Sequence, residues 1–306
     1  MKNSGIFSDT FFAMGTRCDV VLPGVEPELA EQTFQIIKLE INNIEKKLSR
    51  FIPDSAISNL NKASKNEWLT VSEDIWEIIT TCLEYYKISN GAFDITTGPL
   101  ISLWKNKSIP TKIEIEQAFK RTGLDKVEFD FENHAIRFLE DGMEFDLGAV
   151  GKGIALDTLK PILQKQRVKN GLISFGESSI LALGTHPNGD YWPLGIRNQY
   201  TNNDFVHVFQ ASNEVLTSSG TIFTDDHGEV KTRQHIISPS DGKPVSVNKT
   251  VSVKSESATL GEFISTAWLI LSEKDKTALS EKLKNIEILE TVYLEDNRFK
   301  TEITIL

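Results

Sequence analysis

The sequence predicts an α+β protein, with mixed or antiparallel sheets and flanking helices built as two interlocked lobes around a cleft. Long helical patterns fill the first half, where Phe34, Ile37, Ile41, Ile44 and Leu48 recur by threes and fours. From Leu172 onward the pattern changes to short apolar runs broken by Gly, Asn and Asp, as in strands and turns. Between the two lies the stretch 144–157, E-F-D-L-G-A-V-G-K-G-I-A-L-D, which reads as a strand end, a glycine turn and a new helix. Helices first and strands later argue for segregated layers rather than an alternating βαβ sheet. No repeat, low-complexity segment or clear linker divides the chain, so one domain over residues 1–306 is expected.

Length and composition suit a globular protein with a sizeable core: 306 residues, 40% hydrophobic and 25% charged. A net charge of −10 argues against a nucleic-acid groove or attraction to an anionic membrane. A phosphate ligand would then be met by backbone amides and a divalent metal. Cys18 and Cys82 make neither a disulfide framework nor a zinc pattern. Residues 1–15 contain no unbroken apolar region, and no run is long enough to span a membrane. The sequence as written thus predicts a cytoplasmic protein, or a periplasmic or surface one if an export signal has been removed.

In chain order, residues 11–22 read as a first strand with Gly15 as its weak point, and residues 26–49 as the long amphipathic helix. A turn at 49–55 leads to a short helix through Ile57 and Leu60 to Asn61. Ser72 caps a second long helix whose face carries Ile75, Ile79, Cys82 and Tyr86, and Asn90-Gly91 stops it. Thr111 and Glu114 form a capping box for a short helix that stops at Gly123. Residues 127–131, 135–139 and 143–147 read as a meander, the last strand alternating Met143, Phe145 and Leu147 and delivering Asp146 to its end. The helix after the glycines contains Pro161, where a kink or early break is expected. Strands follow at 172–175, 179–183, 192–197, 205–210, 215–218 and 250–253, with a further one ending at 235–239. Helices at 262–271 and 275–284 and a hairpin turning at Asp296-Asn297 close the chain.

Several polar residues sit where chemistry is possible. Gly148, Gly151 and Gly153 are spaced G-x-x-G-x-G, which is not the dinucleotide fingerprint. Nor is it a Walker loop, because Asp146 stands where that motif needs Gly. A strand running through glycines into a helix can offer bare N–H groups to an anion, with Lys152 adding a point charge. Tight packing accounts for the same glycines. Glu262 and Thr266, four apart on an apolar helix, share a face. Oxygen ligands alone suit Mg²⁺ rather than zinc, and a solvated first-turn glutamate favoured by the helix dipole is the other reading. His235 opens an apolar stretch, as a base or as a satisfied core histidine. His134, His186, His207 and His227 have no partner spacing.

Together these pieces resemble the ApbE family, FAD-dependent FMN transferases that flavinylate proteins. Six motifs carry the resemblance, in order from Met14 to about Leu271. The first three are Met14-Gly15-Thr16, the segment 49–61, and Gly91-Ala92-Phe93-Asp94-x-Thr96-x-Gly98-Pro99. The others are Asp146-Leu147-Gly148-Ala149-Val150-Gly151-Lys152-Gly153, Thr217-Ser218-Ser219-Gly220, and His235-Ile236-Ile237. The resemblance implies an ApbE-like flavin cleft with FAD as substrate and Mg²⁺ as cofactor. It implies an FAD site lined by Met14, Phe51, Ala92, Phe93, Asp94, Asp146, Lys152 and Ile236. It implies a metal held by the Ala149 carbonyl with Glu262, Ser265 and Thr266, and it makes His235 the candidate general base. The implied reaction moves FMN from FAD to a Thr or Ser hydroxyl of an acceptor protein and releases AMP. An FAD pyrophosphatase yielding FMN and AMP, or a non-catalytic FAD-binding protein, would use the same residues. The chain departs from the family's pattern at Glu262 (usually Asp), at Ser238 (Asp in His-Ile-Ile-Asp-Pro) and at Gly176-Glu177-Ser178 (a Gly-Gly-Asn-like run).

Overall fold

The computed structural model describes residues 5–106, 109–201, 204–225 and 227–306. The chain opens with β1 (Ile6–Ala13), β2 (Thr16–Pro23), α1 (Pro27–Leu48), α2 (Ala56–Leu60), β3 (Leu69–Thr70) and α3 (Glu73–Ile88). Next come α4 (Gly98–Asn106), α5 (Lys112–Lys120), β4 (Val127–Asp130), β5 (Ala135–Phe138) and α6 (Gly151–Lys165). The strand-rich part holds β6 (Gly171–Phe175), β7 (Ser179–Leu183), β8 (Trp192–Arg197), β9 (Phe205–Ala211), β10 (Glu214–Gly220), β11 (Ile222–Thr224) and β12 (Val230–Thr232). It ends with β13 (Lys249–Ser255), α7 (Ala258–Ile270), α8 (Glu273–Ser280), β14 (Glu287–Tyr293) and β15 (Phe299–Ile305).

An eight-stranded sheet ordered β1-β2-β6-β7-β10-β13-β14-β15 forms the spine, and each neighbouring pair in it is antiparallel. On one face lie α1, α6 and α7. Ile37 and Ile41 of α1, Leu156 and Leu159 of α6, and Phe263 and Ile264 of α7 share one core with Val20, Val251 and Val253 of the sheet. On the other face the β8–β9 ribbon covers Ala182, Leu216 and Leu289 with Trp192, Leu194, Ile196 and Phe209. Helices, sheet and ribbon therefore stack as layers, and the fold is α+β as the sequence predicts. The two lobes read from the sequence share that main core.

Four local expectations are corrected. Residues 11–22 are not one strand but the hairpin β1–β2, turned by Met14 (φ 52°) and Gly15 (φ 73°). Two successive left-handed residues make the tight turn that matches strand twist, which is why Gly stands there. Residues 143–147 form no strand. Asn61 takes the place of a strand neighbour: its amide donates to Phe145 O (2.9 Å) and accepts from Phe145 N (2.7 Å), and Asp146 N donates to Ile95 O (2.7 Å). The third member of the small sheet is β3, in the order β3-β5-β4. Helix α6 makes no early break at Pro161 and runs on to Lys165, anchored on both sides by buried Leu159 and Leu163. Finally, His235 lies in irregular backbone beyond β12, with only an isolated bridge from Ile237 to Pro244.

Candidate functional site

The site is built where α6 and α7 touch. Gly153 is the contact point, because a Cβ there would lie 2.7 Å from the carbonyl group of Ala258. Asp157, one turn further along α6, caps α7. Its carboxylate accepts from Ala258 N (2.9 Å), Thr259 N (2.9 Å), Ser257 Oγ (2.8 Å) and Thr259 Oγ1 (2.9 Å). Helix α7 therefore starts four residues earlier than its apolar run suggests. Glu262 falls in its second turn, 3% exposed, and is not a solvated first-turn residue.

At such depth a carboxylate must be compensated, and Glu262 is. Its Oε1 accepts from Lys152 Nζ (2.9 Å) and Ser179 Oγ (2.6 Å), and its Oε2 from Gly153 N (2.8 Å). Ser179 is a partner that the sequence reading missed. The glycine turn behaves differently from expectation too. Gly148 N donates to Asp146 Oδ1 (2.8 Å), Gly151 N to Leu147 O (2.8 Å) and Gly153 N to Glu262, so the three glycine amides are already engaged. The charge that this turn can offer an anion is the Lys152 ammonium, here paired with Glu262.

Asp146 is held by Arg50, which the sequence reading noted only as part of a motif. The Arg50 Nε lies 2.8 Å from Asp146 Oδ2, close enough for an ion pair but not aligned as a hydrogen bond. Its Nη1 donates to Glu144 Oε2 (2.8 Å) and to Ser102 Oγ (3.1 Å). The Arg50 guanidinium also lies over the Phe51 ring, 4.7 Å from its centroid, and Lys105 Nζ lies 5.2 Å from the same ring. Phe51 is 68% exposed. An exposed aromatic ring beside two cations is a contact that a planar, anionic ligand can use.

These groups line a cavity of about 1400 Å³. Met14, Phe51, Ala92, Phe93, Asp94, Asp146, Ala149, Lys152, His235, Ile236, Glu262 and Thr266 all contribute to its wall. Two of them contribute as framework. Phe93 is 2% exposed, its ring edge-on to Phe263 at 5.3 Å and to Tyr85 at 6.2 Å, so it offers no free face. Asp94 spends its carboxylate on Thr96 N (2.7 Å), Thr96 Oγ1 (2.6 Å) and Leu124 N (3.3 Å), folding its own loop, and burial pushes its pKa up.

Ser265 is not in the cavity wall. It is fully buried, and its Oγ pairs with Ser219 Oγ (2.8 Å), which also reaches Thr266 Oγ1 (3.2 Å). The Thr217-Ser218-Ser219-Gly220 motif on β10 thus braces α7 through Ser219, while Ser218, Ser219 and Gly220 themselves line the cavity. His235 is reached by solvent through the cavity but crowded by the protein around it. That desolvation, and then the charges of Arg233 and Lys152, hold its pKa below the ordinary imidazole value. Arg233 itself lies 3.9 Å from the centroid of the Phe223 ring on the same wall.

Among the described residues no group of three or more His, Cys, Asp or Glu side chains could hold a metal ion. Glu262, Thr266 and Ala149 instead all line the same cavity. This is a hard-oxygen set that fits Mg²⁺ as a partial shell, to be completed by water and phosphate oxygens.

The ApbE family model matches residues 14–289. An FAD:protein FMN transferase of Buchnera aphidicola is 28% identical over 301 residues, covering 95% of this chain and 87% of the relative. One from Escherichia coli K12 is 26% identical over 244 residues, covering 77% of this chain and 69% of the relative. The crystal structure of the ApbE protein of Thermotoga maritima superposes with TM-score 0.81 at 25% identity, covering 96% of each chain. The flavin transferase ApbE from Vibrio cholerae superposes with TM-score 0.84 at 21% identity, covering 98% of this chain and 97% of that one.

Proposed function

This chain belongs to the ApbE family, and we propose that it transfers FMN from FAD to a Thr or Ser hydroxyl of an acceptor protein, releasing AMP. The observation that carries the proposal is that Phe51, Asp146, Lys152, His235, Glu262 and Thr266 line one cavity. Together they offer an aromatic ring, an anion partner, a base and oxygen ligands. The names of the curated relatives support the same activity.

In this reading the flavin ring rests against Phe51, between the Arg50 and Lys105 cations. Arg50 holds the Asp146 carboxylate in place, and Lys152 meets the pyrophosphate. His235, neutral near pH 7, takes the proton of the incoming hydroxyl as its oxygen bonds to the FMN phosphorus. The bond from that phosphorus to the bridging oxygen breaks, and AMP leaves with the bridging oxygen. Glu262, Thr266 and the Ala149 carbonyl would hold Mg²⁺, which supplies charge neutralisation on the pyrophosphate.

Co-expression with candidate acceptors tests this reading. An acceptor that carries flavin fluorescence through a denaturing gel, and loses it with His235→Ala, is the expected result. Steady AMP release with every acceptor unlabelled would instead make the protein an FAD pyrophosphatase.

A further inference from the structure

We propose that Lys152 is the resident counter-ion of the metal carboxylate, so that a divalent cation binds only by displacing the Lys152 ammonium from Glu262. This rests on the metal reading above and adds a competition that the reading does not contain.

Glu262 is 3% exposed and cannot be left as a bare carboxylate. Gly153 N and Ser179 Oγ satisfy part of it, and among the described residues the one cation paired with it is Lys152, 2.9 Å from Oε1. That same Oε1 already accepts from Ser179, so its two lone pairs are taken, and Oε2 accepts only from Gly153 N. A divalent ion on Oε2 would face the ammonium across a single carboxylate, and like charges at that range repel. The two cations therefore exclude one another.

Lys152 has somewhere to go. Its side chain is 23% exposed and lines the cavity, whereas Glu262 is fixed by α7 and by Gly153 N. Displacement swings the ammonium into the space where a phosphate ligand would lie. Metal uptake thus frees the group that meets the anion, and each ligand favours the other through one side chain.

Mn²⁺ binding to FAD-free protein, measured by the loss of the free-ion EPR signal, tests the competition without reference to turnover. Lys152→Met should bind Mn²⁺ more tightly than wild type by roughly tenfold, within the range typical of coupled sites. Lys152→Arg, which keeps the charge, should not. Glu262→Gln should lose the site in either background. Because Lys152→Met leaves a buried carboxylate without its cation, its melting temperature is followed as well. It should start lower than wild type and rise more on adding Mn²⁺. Unchanged or weaker Mn²⁺ binding by Lys152→Met, with Glu262→Gln still abolishing it, would overturn the competition alone. Wild-type binding by Glu262→Gln would overturn the metal site and the competition with it.

Discussion

Glu262 concentrates the residue-scale logic of this protein. Its carboxylate joins α7, the turn of α6 and β7 through Lys152, Gly153 and Ser179. Glu262→Ala should abolish turnover and also destabilise the fold by about 2 kcal/mol, since buried donors lose their acceptor. Glu262→Asp should keep or raise activity. A fully active Ala variant would contradict the metal assignment. His235 yields a pH prediction with a definite sign. Crowding disfavours the imidazolium, and the cations Arg233 and Lys152 disfavour it further. The base is therefore neutral, and competent, down to a pH below the ordinary 6.5, and the acid limb of kcat/KM should lie there. Arg233→Gln removes one of the cations and should move that limb upward. An unmoved limb would detach His235 from the chemistry.

At the scale of elements, the contact between α6 and α7 decides whether the site exists. Gly153→Ala pushes a methyl into the Ala258 carbonyl and should destabilise the protein by about 1–3 kcal/mol, with loss of metal binding. Asp157→Ala removes the cap of α7 and should cost about 1–2 kcal/mol by denaturant melts. Burial raises the Asp157 pKa, but the Thr259 and Ala258 amides and Lys160 outweigh it and leave it lowered. Its contribution is thus present above the usual carboxylate range and disappears as pH falls through the lowered folded value, so the gap between wild type and Asp157→Ala should narrow in acid. Helices α1, α3 and α5 were legible in the sequence because their apolar stripes are local, as is the Thr111–Glu114 capping box of α5; Ser72 stands at the N-cap of α3, but its hydroxyl donates to Asp74 Oδ1 instead of making the expected cap. The extended 143–147 stretch was misread as a strand because its alternation is real, yet its hydrogen-bond partner is the Asn61 side chain, 84 residues away. Arg50 and Ser179 were missed for a related reason: each acts on a carboxylate distant in sequence, and nothing near either residue signals it.

At the scale of the whole molecule, an antiparallel eight-stranded spine carries α1, α6 and α7 on one face and the β8–β9 ribbon on the other, and the cavity opens where the α6–α7 pair meets the sheet. The α+β class followed from the order of patterns along the chain, whereas strand order in the sheet depends on long-range pairing that no local pattern encodes. Two buried thiols report on this core. Burial pushes the pKa of Cys18, with help from the Asp19 charge, and that of Cys82 up to about 12. Neither should react with a thiol reagent at pH 8 in the native state, and both should react together as the protein unfolds. Labelling of Cys82 well before global unfolding would mean that α3 opens on its own. Most of the site residues indicated by the family motifs do meet in one cavity, but Ser265 lies behind its wall and Phe93 and Asp94 shape it rather than face it. Motifs identify positions, and packing decides which of them a ligand can reach.

Metal-assisted cleavage of FAD in this cavity is read out by AMP release. Purified protein, FAD and a protein extract as acceptor pool are incubated with Mg²⁺ or with excess EDTA. The account predicts AMP release with Mg²⁺, none with EDTA, and none from Glu262→Ala. Bound FAD that yields no AMP under any of these conditions would contradict it, leaving a flavin-binding protein on a transferase fold.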